Sequence, residues 1–147
     1  MAYISLHNHS WYSLLDSAMA VEDIVAAAVE YGMPAVGLVD RDSLAGAVQF
    51  YKAARAAGVH PVIGSEVTLA GGGSLVLLVE NAVGYYNLCR LLSTRIEHPD
   101  GVTPEDLNLC SAATAIASVD WFRRTRLVEP KPRRRSPSDW TGMCSSG

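Results

Sequence analysis

Five residues of this chain combine types and placement that could do chemistry: His7 and His9, one residue apart, and the carboxylates Asp16, Asp40 and Glu66. Imidazole nitrogens and carboxylate oxygens together form a ligand set for Zn, Mn or Fe. In an extended His-x-His the two side chains share a face, because the strand period is two. Both can then reach one ion or adjacent ions. Paired ions would polarise a phosphoryl group and lower the pKa of a bound water, which is metal-assisted phosphoester hydrolysis. Each residue also has a plainer reading. A lone His-x-His is a weak signal, Asp40 or its neighbour Asp42 can simply cap a helix, and Glu66 can be a solvated strand residue. Their joint placement at the ends of hydrophobic runs raises the metal reading to equal standing with the plainer ones. His60 and His98 have no such placement and read as surface residues.

The elements that must position these groups alternate along the chain. Residues 3–6 form a short β-leaning run that ends at His7, with Asp16 in the loop beyond. Val21, Ile24, Val25, Ala28 and Val29 share one face of a helix expected over residues 21–31. Gly32 stands where a helix-terminating glycine belongs, and Pro34 blocks continuation. Residues 35–39 are an apolar run of strand length, followed by Asp40. A second helix carries Leu44, Ala47, Val48 and Tyr51, with Asp42 or Ser43 as its cap, and stops at Gly58. Strands are expected over 61–69 and 75–79, joined by Gly71-Gly72-Gly73, and a helix over 85–93 with Leu88, Leu91 and Leu92 inward. Thr103-Pro104-Glu105-Asp106 is a helix start that should bury Leu107 or Leu109. This alternation predicts a parallel α/β sheet buried on both faces. In such folds the C-terminal strand ends converge, so distant residues can share a site.

Composition sets outer bounds. The 147 residues, 49% hydrophobic and 18% charged, fit one globular domain. No apolar run reaches the roughly 18 residues of a membrane span, and the N-terminus has no secretory pattern. The three cysteines contain no CxxC and read as reduced thiols, so the cytoplasm is the expected compartment. Charge is divided unevenly. Up to Cys110 there are 5 Lys and Arg against 12 Asp and Glu, and beyond it 7 against 3. The second part contains Glu129-Pro-Lys-Pro-Arg-Arg-Arg-Ser-Pro-Ser, a composition read as disordered or as a nucleic-acid-binding arm.

Four stretches carry a family resemblance. His7-Asn-His-Ser-Trp-Tyr-Ser-Leu-Leu-Asp16 resembles the first PHP-domain motif, HxHxxYSxLD. Gly32-Met-Pro-Ala-Val-Gly-Leu-Val-Asp40-Arg-Asp-Ser-Leu-Ala-Gly46 resembles the second, GMPALALTDHxxLxG, and Gly58-Val-His-Pro-Val-Ile-Gly-Ser-Glu66 the third, GIKPIIGxE. Leu75-Val-Leu-Leu-Val-Glu-Asn-Ala-Val-Gly-Tyr-Tyr-Asn-Leu-Cys-Arg-Leu-Leu-Ser93 is similar to the stretch that follows in bacterial DNA polymerase III alpha subunits. Order and spacing match from about residue 3 to 109. The resemblance implies an α/β fold, the first three to four strands of a PHP-type distorted TIM-like β/α barrel, with an irregular C-terminal tail. It implies His7, His9, Asp16 and Glu66 as ligands of a divalent metal, Zn or Mn, with Asp40 supporting them from a strand end.

Two positions depart from the family pattern. The second motif's His is Arg41, a permanent cation in place of a neutral ligand. The His that opens the fourth strand in many members is Ser74. Later ligand motifs have no counterpart. Arg41 is therefore expected to pair with Asp16 or Glu66, a salt bridge replacing a metal. The Arg41 pattern resembles the degenerate, error-prone branch of the polymerases.

On this reading residues 1–110 are the N-terminal portion of a PHP domain. Residues 111–147 are a basic Pro/Arg/Ser-rich tail, where the resemblance stops as abruptly as an out-of-frame or truncated reading would stop it. The implied function is that of a PHP-domain fragment of a DNA polymerase III alpha subunit, associated with DNA replication, with a degenerate metal-dependent phosphoesterase site of the 3′–5′ exonuclease type. DNA and other polymerase subunits would be its partners. The competing readings are a free-standing phosphoesterase of small phosphorylated metabolites and a non-catalytic interaction module.

Overall fold

A computed structural model of the chain describes residues 3–95, 97–98, 100–107 and 114–118. Leu109 and most of the basic tail lie outside the described residues.

Helix α1 (Val21–Glu30) buries Val21, Ile24, Val25 and Ala28 of the stripe expected from the 3.6-residue period, while Val29 at its end is exposed. It ends where Met33 N donates to Ala28 O at 2.8 Å and Gly32 N to Val29 O at 3.1 Å. That closure needs a left-handed residue, and Gly32 supplies it with φ 62°. Gly58 closes α2 (Ala47–Ala56) in the same way, with Val59 N donating to Ala54 O at 3.0 Å.

The start of α2 differs from expectation. Gly46 is its N-cap and no side chain caps it. Asp42 is drawn elsewhere: its carboxylate accepts Thr68 N at 2.8 Å, the Thr68 hydroxyl at 2.7 Å and Arg95 Nη2 at 3.1 Å. The buried face of α2 is Ala47, Phe50 and Ala54, whereas Val48 and Tyr51 are exposed. Burying the Phe50 ring removes more apolar area from water than either, which fixes the helix's rotation.

The sheet runs β1-β2-β3-β4. Strands β1 (Ala35–Arg41) and β2 (His60–Thr68) pair in parallel, in a register that sets Asp40 against Ser65 and Arg41 against Glu66. Strand β3 (Ser74–Val79) is antiparallel to β2, and β4 (Thr114–Ser118) antiparallel to β3. The all-parallel sheet expected from the alternation is thus a mixed one. The reason is the glycine-rich link after Thr68, too short for the crossover of a dozen or more residues that parallel neighbours need. Segment 114–118 lies past the boundary drawn at residue 110 and stands as the fourth strand.

The expected strand at residues 3–6 is reduced to a single parallel bridge, Ser5 to Val36. Gly37 N donates to Ser5 O at 2.8 Å and Val39 N to Asn8 O at 2.9 Å. Asn8 Nδ2 reaches Gly37 O at 2.9 Å, so a side chain replaces a rung of the ladder. A Cβ on Gly37 would lie 2.5 Å from Leu6 O, and only glycine lets the two backbones approach this closely.

Alternation divides the sheet's two faces. Val36, Leu38 and Ile63 pack against α1 and α2. On the same face Val67, Leu75 and Leu77 pack with Leu88 and Leu91 of α3 (Ala82–Thr94), and with Val102. Leu92 and Leu107 join this second cluster from its edge. Short α4 (Pro104–Leu107) starts as the sequence predicts: Thr103 N and its hydroxyl donate to Asp106 Oδ2, and Asp106 N to Thr103 Oγ1. The opposite face of the sheet receives the N-terminal segment with His7 and His9.

Candidate metal centre

The parallel register places Glu66 and Arg41 side by side on the sheet face away from the helices. The close approach at Gly37 carries His7 and His9 over that face. There His7 Nε2 lies 2.9 Å and His9 Nε2 3.0 Å from Glu66 Oε2, with 3.2 Å between the two nitrogens. Among the described residues, these three form a group that could hold a metal ion. Glu66 is 5% exposed, His9 17% and His7 45%, so the cluster has a protein floor and opens to solvent past His7.

Glu66 is well prepared to be anionic. Burial alone would raise its pKa, but the Ser74 hydroxyl, the His7 hydrogen bond and the charges of Arg41 and His9 outweigh it, and its pKa is lowered. The Ser74 hydroxyl donates to Glu66 Oε1 at 2.5 Å. The residue that stands where the family pattern has His thus acts on the cluster through Glu66.

Asp16 and Asp40 go to different places. Arg41 lies between Asp16 and Glu66, with Nε 2.5 Å from Asp16 Oδ2 and Nη2 3.4 Å from Glu66 Oε1. The expected salt bridge is present, and it spans both acids rather than one. Asp40 sits one residue from Arg41 and so projects to the other side of the pleat, the helix side. It is buried and accepts Ser10 N at 2.6 Å, Ser10 Oγ at 2.8 Å and Ser13 Oγ at 2.8 Å. Ser13 Oγ in turn accepts Arg41 N at 3.0 Å. Asp40 therefore clamps the loop between His9 and Asp16 onto the end of β1. His60 and His98 are exposed and away from the cluster.

Sequence reasoning missed Ser10 and Ser13. Both are buried, and nothing in a Ser-x-x-Ser spacing distinguishes a clamp from a solvated loop. Their partner lies about thirty residues along the chain, so only the fold shows it.

The donor set fits one divalent ion: two imidazole nitrogens and a carboxylate oxygen, all within 4.8 Å of one another. No described helix is long and apolar enough to cross a membrane.

Known proteins resemble this chain in sequence and in fold. The family model of the PHP domain matches residues 5–122. An error-prone DNA polymerase of Symbiobacterium thermophilum is 44% identical over 93 residues, covering 63% of this chain and 9% of that protein. A DNA polymerase III subunit alpha of Chlamydia pneumoniae is 41% identical over 107 residues, with the same coverage. The chain thus spans 9% of the length of these relatives. Among solved structures, an amidohydrolase from Chromobacterium violaceum, with bound SO4 and no metal, superposes with a TM-score of 0.53 at 24% identity. That superposition covers 67% of this chain and 34% of that one, and shows a shared fold. With the family match spanning most of the sequence and two of its motifs meeting in the cluster, the chain belongs to the PHP domain family.

Proposed function

We propose that this chain is the PHP portion of a DNA polymerase III alpha-type protein acting in DNA replication, and that His7, His9 and Glu66 form a reduced metal-dependent phosphoesterase site. The observation that carries the reading is the convergence of His7 Nε2, His9 Nε2 and Glu66 Oε2 within 3.2 Å on a solvent-open face of the sheet. Its similarity to an error-prone DNA polymerase and to a DNA polymerase III subunit alpha supplies the DNA context.

His7 and His9 would each present a neutral ring nitrogen, and Glu66 a carboxylate oxygen, to a Zn or Mn ion. Such an ion supplies positive charge that polarises a phosphoryl oxygen. Ser74 holds Glu66 from behind and fixes which oxygen faces the histidines. Arg41, about a third exposed, adds a fixed positive charge beside them that favours an anionic phosphodiester. On this reading Asp16 neutralises Arg41, and Asp40 holds the loop that carries His9.

The test is metal content and hydrolysis together. The purified chain, loaded with Mn or Zn, is assayed on a 5′-labelled single-stranded oligonucleotide and on a small phosphate monoester. Shortening of the oligonucleotide that disappears in a His7→Ala/His9→Ala double variant supports the proposal. Turnover of the monoester alone points to a metabolite phosphoesterase. Bound polymerase subunits, with no metal and no effect of the double variant, would replace the proposal with an interaction module.

A further inference from the structure

Glu66 is shared between two sets of partners. Its Oε2 faces His7 and His9 at 2.9 and 3.0 Å. Its Oε1 faces Arg41 Nη2 at 3.4 Å, and Nε of the same guanidinium lies 2.5 Å from Asp16 Oδ2. One guanidinium thus joins two carboxylates, and one of these also faces the group that could hold a metal ion, so Glu66 lies between two places for a cation. In this chain one of the two is filled by a side chain.

We infer that Arg41 occupies the second cation position permanently, so that this centre takes one divalent ion at His7–His9–Glu66 and no second ion. The inference rests on the reading of those three residues as metal ligands. The guanidinium is a fixed cation with several donors in one plane. It therefore satisfies Asp16 and Glu66 without a metal, and the local fold does not depend on one. The β1–β2 register sets position 41 directly against Glu66, and the main chain there is held by the Ser13 hydroxyl. A shorter neutral ligand at position 41 would leave Asp16 and Glu66 facing an empty position of their own charge. The same fixed cation repels the ion bound on the other side of Glu66 and weakens it.

Metal stoichiometry tests this without recourse to catalysis. Wild type, Arg41→His and Arg41→Gln are stripped of metal, checked for fold by circular dichroism, and titrated with Mn and with Zn by calorimetry. Ions retained after dialysis are counted by mass spectrometry. Wild type is expected to bind one ion and R41H two. R41Q should bind its first ion about tenfold more tightly, the Coulomb effect of removing a unit charge roughly 6 Å away in a water-like medium. Two or more ions in wild type overturn the inference. So does a folded R41H that gains none, or an R41Q with unchanged affinity. Binding by neither wild type nor either variant overturns the metal-centre reading itself.

Discussion

Replacing Asp40 with Ala should loosen the loop that carries His9 while leaving every proposed ligand in place. The side chain is buried, and its two oxygens accept three hydrogen bonds, from Ser10 N, Ser10 Oγ and Ser13 Oγ. Hydrogen bonds to a charged acceptor contribute about 1.5–3 kcal/mol each. Removing the carboxylate also relieves its desolvation, and the two hydroxyls can turn to other acceptors. The Ser10 amide cannot turn, and it is left unpaired in the interior. The expected net loss is about 3 kcal/mol of folding free energy. Asp40→Asn keeps one acceptor for that amide and should cost less, about 1–2 kcal/mol. Urea unfolding followed by circular dichroism reads both, with the slope of the transition unchanged. Because the clamp orders the segment between His9 and Asp16, metal affinity should fall with stability, about tenfold for each 1.4 kcal/mol that ordering contributes to binding. A D40A protein within about 0.5 kcal/mol of wild type would refute the clamp. Full stability with lost metal binding would instead make Asp40 a ligand, contrary to its place on the other side of the pleat.

Gly37→Ala places a Cβ 2.5 Å from Leu6 O, where backbone must move, and should cost about 1–3 kcal/mol with a weaker metal site, read by the same two titrations. Asp42 gives a pH dependence of known sign. Burial opposes its ionisation, but hydrogen bonds from Arg95 and Thr68 outweigh it, so its folded pKa is lowered from 3.8. The unfolded chain then binds the proton more readily, so this contribution is full above 3.8 and is lost as pH falls below it through the folded value. Asp42→Asn should remove that part of the acid sensitivity in urea midpoints measured from pH 5 downward. An unchanged pH profile would show that Asp42 is not the group responsible.

Much of the framework is written locally in the sequence. The α1 stripe, the stops at Gly32 and Gly58, the Thr103 cap and the strand-length apolar runs each depend on neighbours within a turn or a pleat, so short-range periodicity and φ preference are enough to find them. The placement of His7 beside His9 is local in the same sense. The assignment of the carboxylates is not. Asp40, Arg41 and Asp42 are consecutive, yet they serve a loop clamp, a charge bridge and a tie to β2 and Arg95. Asp42 looked like a helix cap because Thr68 and Arg95, which claim it, are distant in the chain. The antiparallel β3 and the buried Phe50 were settled by connection length and by competition for the core. Above all, the β1–β2 register set Arg41 rather than Asp40 against Glu66. A shift of one residue in a strand exchanges the faces of all its side chains. Residue types and spacing therefore determined what chemistry this chain could contain. Only the pairing of strands decided which groups meet, because that choice is made by burial and hydrogen bonding summed over the whole sheet.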